Sequence, residues 1–341
     1  MKPTLVRSLI AVAAVAACDG PSDPEGPPVP APGPHFTVSP LPVEKIARIT
    51  PIGFNNKPFP TPHTYWMTCD VFIILQGTRP CVLERLPVRA PGDGVVQQVV
   101  HAEDGELRIE GPPGLILTFG HVTPEPSLRV GSDVTAGQVV ATMFDPHNID
   151  FGVVNFGMEH AFVVPERYNA SVLNAEHPIA QFPEPLRSEL IARINSLSDP
   201  LGRVSYDVPG TASGGWFIEG SRDLDVLRFG NEHMLLLLGR WVEREETRIA
   251  SFGQLDTGTS SGFLQFAVDP AAPSWEDITP ASGVVALRLW PIGVDARPAT
   301  DRPPRGTLLL QLVDDQTLRI EWFDTHDPVT EFTGAARVYE R

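Results

Sequence analysis

Short apolar or alternating runs recur through the first half of the chain: VFIIL at 71–75, GVVQQVV at 94–100, ELRIEG at 106–111 and GLILTFGHV at 114–122. Each has the length of a strand, and alternation such as Leu107, Ile109 against Glu106, Arg108 turns one face to a core and the other to water. Turn residues stand between the runs, PGDG at 91–94, EDG at 103–105 and GPPG at 111–114. Glycine and proline there favour tight reversals. The pattern predicts a mainly β unit over residues 43–168, without helical periodicity.

Residues 169–204 differ. Leu186, Leu190, Ile194 and Leu197 fall at helical spacing, with prolines before and a DPLG turn after at 199–202. This predicts one amphipathic helix in a short connector. From 205 to 341 β patterning returns: GGWFIEG, DVLRFG, HMLLLLGRWV, RIASFGQL, GFLQFAV, GVVALRLW, GTLLLQLVD, TLRIEWF and AARVYER follow at short intervals. Such a series predicts a second antiparallel unit, either a β-sandwich or an up-and-down barrel. The fold class expected is all-β, mainly antiparallel, in two units with a helical connector.

The N-terminus has another character. Lys2 and Arg7 precede an apolar run over residues 8–17, about half the roughly 20 residues of a spanning helix. That is the form of a secretory signal over 1–17. The run ends in VAAC at 15–18, which resembles the lipobox of bacterial lipoproteins. The resemblance implies lipid on Cys18 and a membrane anchor. Residues 19–42 contain nine prolines in 24 positions and little that builds a core. Together with Cys18 they are expected to form an extended, disordered tether, 18–42. The location implied is the cell envelope, facing the periplasm or the exterior.

Two further cysteines, Cys69 and Cys81, are candidates for a disulfide in such an oxidising compartment. The formal net charge of −16 disfavours nucleic acid and anionic headgroups as partners.

Four motifs follow one another: APGDGVV at 90–96, LTFGHV at 117–122, VGSDVTAGQVV at 130–140 and IDFGV at 149–153. In type and order they resemble the M23 (lysostaphin or LytM-like) metallopeptidase domain over about a third of the chain. The hairpin at 130–140 also resembles biotinyl and lipoyl carriers. Carriers require a lysine to modify, and none lies beyond Lys57.

The M23 resemblance implies zinc held by a His, an Asp four residues later and the second His of an H-x-H strand. Water takes the open position and two further His residues assist. His63 matches the first ligand and His121 an assisting His, with Phe119 where the family has Tyr. Four residues beyond His63 stands Met67; the nearest carboxylate is Asp70, at an odd offset that needs a bulge to share His63's face. Asn148 and Asp150 replace the two His of H-x-H. Asn148 carries no titratable proton, and Asp150 is a harder oxygen ligand. His147 should point to the opposite face, and His101, His160, His177, His233 and His326 lack ligand spacing.

Two readings follow. In the preferred one the groove persists without catalysis, for binding peptidoglycan or an envelope protein. In the other, His63, Asp70 and Asp150 hold zinc, His121 assists, and the chain is an endopeptidase. A third places the work in the C-terminal unit, whose G-x-W strand at 214–216 resembles those of lipocalin-like barrels that bind small apolar ligands.

Overall fold

The computed structural model describes residues 33–54, 58, 60–69, 83–112, 114–194, 196, 199–221, 235–253, 264–293, 295–325, 327 and 329–341. The expected signal, Cys18, most of the tether, Asp70, the run at 71–75, Cys81, His233 and His326 lie outside them.

The first unit is a ten-stranded antiparallel sheet. Its strands are β1 (Arg48–Ile49), β2 (Thr64–Met67), β3 (Pro87–Arg89), β4 (Gly94–Val100), β5 (Gly105–Glu110), β6 (Leu115–Pro124), β7 (Asp133–Val134), β8 (Val139–Met143), β9 (Asn148–Asn155) and β10 (Ala175–Glu176). The main order is β1-β2-β9-β6-β5-β4-β7, with β10 beside β9 and the β3–β8 pair joined to the far end of β6. The period-2 pattern is realised: Leu107 and Ile109 on β5, Leu115, Leu117 and Phe119 on β6, and Ile149, Phe151 and Val153 on β9 enter one core cluster. Phe119 stacks on Phe151 at 4.8 Å between ring centroids. The position where the resemblant family carries Tyr is therefore a core position here.

Two expected boundaries move. Residues 35–42, assigned by composition to the tether, are packed on this unit. Phe36 is 1% exposed and Leu41 fully buried, and Phe36 meets Phe182 edge-on at 5.2 Å. The amides of His35 and Phe36 donate to Gln181 O, and Pro40 O accepts from Arg89 N. Proline density hid two aromatic and aliphatic anchors. The connector, likewise, belongs to the first core. After α1 (Ala170–Leu173) and β10, the segment brings Ile179, Phe182 and Leu190 into that cluster. The amphipathic helix is a short one, α2 (Leu186–Ile191), with Leu190 buried; Ile194 packs beyond its end, and Leu197 lies outside the described residues.

The second unit closes. Strands β11 (Gly214–Ile218), β12 (Leu235–Trp241), β13 (Arg244–Phe252), β14 (Leu264–Val268), β15 (Val285–Trp290), β16 (Gly306–Asp314), β17 (Thr317–Phe323) and β18 (Arg337–Glu340) form a barrel in sequence order, β18 pairing back onto β11. Of the two architectures expected, the up-and-down barrel is observed and the sandwich is not. Trp216, Trp275, Phe252, Tyr339 and many leucines fill its interior. Closure removes the exposed sheet edges that invite aggregation. The HMLLLL run has a two-sided explanation. Leu236 and Leu238 point into the barrel, whereas Leu235 packs with Tyr168 and Val172, and Leu237 with Tyr206. Both faces of β12 are buried, so its pattern is continuous rather than alternating.

Candidate functional site

On the sheet face opposite the core, three strands bring polar side chains together. The β2–β9 register sets Tyr65 opposite Asp150 and Met67 opposite Asn148, while β6 sets Gly120 opposite Asp150 from the other side. Thr64 Oγ1 donates to Phe151 O at 2.8 Å and itself accepts from Trp66 Nε1 at 2.9 Å, tying β2 to β9 through buried bonds. His63, one residue before β2, lies on the same side of the strand as Tyr65. Its Nε2 is 3.2 Å from Asp150 Oδ2, and its ring meets Tyr65 edge-on at 5.2 Å.

His121 reaches the same carboxylate by breaking the alternation of β6. Its φ is +55°, in the left-handed region that a non-glycine residue rarely enters. At this point β6 leaves β9, its last pair being Gly120 with Asp150, and takes up β8 from Val122 onward. The pairing with β5 also shifts register here, between Gly105 and Leu107. The extra residue leaves Gly120 and His121 both off the core face, and bulges of this kind re-aim side chains next to binding sites. His121 Nε2 then stands 3.7 Å from Asp150 Oδ2, and Asp104 Oδ1 takes Nδ1 at 3.0 Å. Asp104 thereby orients the ring and sets its tautomer.

Two glycines make room for this constellation. A Cβ at Gly152 would lie 2.6 Å from Thr118 Oγ1 and 3.1 Å from the His63 Cβ; one at Gly120 would lie 3.3 Å from the Asp150 Cβ. Sequence reasoning did not single out Gly120, Gly152, Asp104 or Tyr65. The glycine spacing along FGH and DFG was the available signal for the first two.

Met67 turns away from polar work. It is 8% exposed, in an apolar cluster with Phe54, Tyr65 and Val242. Asn148, across the ladder from it, is half-buried. His147, expected on the other face, pairs through Nδ1 with Asp145, and its carbonyl accepts from Thr68 N at 2.8 Å. The Asp145 carboxyl is held below its usual range: burial opposes ionisation, but the hydrogen bonds from His147 and the nearby His121 ring outweigh it. Elsewhere His101 Nε2 meets Leu128 O at 3.0 Å and His160 Nε2 meets Ala175 O at 2.7 Å, both structural contacts.

Ligands about 2.0–2.1 Å from a tetrahedral zinc lie about 3.3–3.5 Å from one another. His63 Nε2 and Asp150 Oδ2 are near that spacing, one edge of such a centre. The third expected ligand, Asp70, lies outside the described residues. Among the described residues no group of three or more His, Cys, Asp and Glu is arranged to hold a metal ion. Cys69 is buried and disulfide-bonded.

No protein-family model matches the sequence, and no curated relative does. Among solved structures, the chain is similar to Csd3 of Helicobacter pylori, at 16% identity over 37% of this chain and 33% of that one, TM-score 0.27. A zinc-containing peptidase from Vibrio cholerae shares 20% identity over 36% of this chain and 37% of that one, TM-score 0.27. The catalytic domain of the prophage-encoded M23 protein EnpA from Enterococcus faecalis shares 16% identity over 36% and 86%, TM-score 0.26. The matched part thus spans about a third of the first two chains.

Proposed function

We propose that the first unit is an M23-like domain kept for its groove, binding peptidoglycan or another envelope peptide without cleaving it, in a lipoprotein anchored through Cys18. The observation that carries this is Met67. The position that the resemblance assigns to a carboxylate ligand holds a thioether buried among Phe54, Tyr65 and Val242, outside the Cys, His and carboxylate donors that hold zinc in proteins. Asn148 adds to it, since an amide neither accepts nor delivers a catalytic proton. What remains, His63, Asp150, His121 and Asp104, forms a polar chain suited to hydrogen-bonding a ligand's amide or amine. The experiment is a pull-down of the chain on purified sacculi with analysis of released muropeptides. Retention without release supports the reading; absence of retention overturns it.

A second reading, zinc endopeptidase, rests on the convergence of His63, His121 and Asp150 at one carboxylate oxygen. It requires near-stoichiometric zinc by mass spectrometry, lost in both His63→Ala and Asp150→Ala. It also requires muropeptide release that His121→Ala abolishes. Zinc-supplied protein that carries no metal removes it.

A further inference from the structure

The barrel reaches the groove. Trp241 ends β12 and the turn to β13 carries Val242 and Glu243; Val242 is 1% exposed, buried against Phe54, Tyr65 and Met67. From there aromatic rings run continuously to the polar site. Trp241 meets Phe54 at 6.3 Å, Phe54 meets Tyr65 at 5.9 Å, and Tyr65 meets His63 at 5.2 Å, all edge-on. Beside this ladder Glu243 forms an ion pair with Arg48, whose side chain is 5% exposed, on the strand that pairs with β2.

The groove side of the strand under this contact rests on the barrel, whereas its core side is held by Trp66 and the pairing with β9. β2 has four residues, and its neighbour β1 only two. Its groove-side side chains, Tyr65 and Met67, have no core of their own. Their burial comes from Phe54 and from the barrel. A short strand with one face packed on another domain has part of its local stability set by that domain.

We propose that the Trp241–Val242–Glu243 segment is a positioning element of the groove: docking of the barrel fixes β2, and through Tyr65 holds His63 against Asp150. The barrel is then part of the binding unit rather than an appendage. The inference rests on the groove reading for its functional consequence, though not for its structural one. By linkage, a ligand that requires the ordered His63 also strengthens barrel docking by the same factor.

The test uses the full chain with ¹³C,¹⁵N-histidine labelling, in Val242→Ala and in the double variant Arg48→Met/Glu243→Leu, which replaces the buried pair with apolar groups of similar size. Expected are a shift of the His63 ring resonances, amide exchange in β2 faster by about tenfold or more, and unchanged Trp216 signals from the barrel core. Weaker retention on sacculi should accompany them. Unchanged His63 resonances and β2 exchange in both variants would overturn the proposal. Should His63 shift while wild-type chain shows no retention on sacculi, the positioning role stands and the binding function fails.

Discussion

Asp150 receives two histidines from different strands, His63 at 3.2 Å from the turn before β2 and His121 at 3.7 Å from the bulge in β6. Neither approach is available to a regular strand. His63 needs the missing side chain at Gly152, and His121 needs a left-handed backbone angle. The site is therefore a property of these two backbone features as much as of its polar residues.

Gly152→Ala follows directly from that geometry. A Cβ placed 2.6 Å from Thr118 Oγ1 and 3.1 Å from the His63 Cβ forces β2 and β6 apart, an overpacking cost of about 1–3 kcal/mol. Denaturant unfolding should show that loss, together with displaced His63 resonances. Gly120→Ala, with its nearest contact at 3.3 Å, should cost clearly less. Equal effects would mean that the glycines do not discriminate as the packing says.

Much of this was legible beforehand, and the exceptions share a cause. Alternation on β5 and β6 gave the core face, and motif order brought His63, His121 and Asp150 to one expected place. The reason for Met67 was invisible locally, because its partner Val242 is 175 positions away in another domain. The same holds for the leucines of β12, whose outer face is covered by Tyr168, Val172 and Tyr206. Phe36 was masked by the prolines around it. Periodicity reports whether a face is buried and is silent on what buries it.

Arg341 follows the closing strand β18 and is buried against the barrel. Arg341 donates to Val208 O and Ser213 O, and its guanidinium lies over the Trp216 ring at 4.2 Å. Burial raises the Asp207 carboxyl, which Arg341 opposes. Arg341→Met should cost about 2–3 kcal/mol, since two charge-assisted bonds are lost while Thr211 and the Val208 amide still donate to those carbonyls, and should alter Trp fluorescence. Arg341→Lys should recover only part, lacking the planar fork. A loss below about 0.5 kcal/mol in the Met variant would show that the guanidinium is dispensable.

Cys69 is disulfide-bonded, and Cys81 is the partner expected for a protein outside the cytoplasm. A bridge closing so short a loop typically contributes about 2–3 kcal/mol. Cys69→Ser and Cys81→Ser should therefore lower the denaturation midpoint equally, and the double variant should fall no further. Unequal single variants with additive losses would separate the two thiols.

His177 supplies a pH dependence with a definite sign. It is 3% exposed and lies at the start of the turn Pro178–Gln181, where its Nδ1 accepts from Ile179 N at 3.1 Å. Burial lowers its pKa from 6.5 to about 3, with a hydrogen bond to the Thr50 backbone working the other way. Between those values the unfolded chain binds a proton that the folded chain refuses, so the contribution is full above about pH 6.5 and is lost as pH falls. The slope approaches about 1.4 kcal/mol per pH unit. His177→Asn retains an acceptor for the Ile179 amide and removes the titration. Urea unfolding at pH 7 and pH 4.5 should show the variant losing about 2–3 kcal/mol less on acidification than the parent chain. If both lose the same amount, His177 is not the neutral buried group that the packing requires.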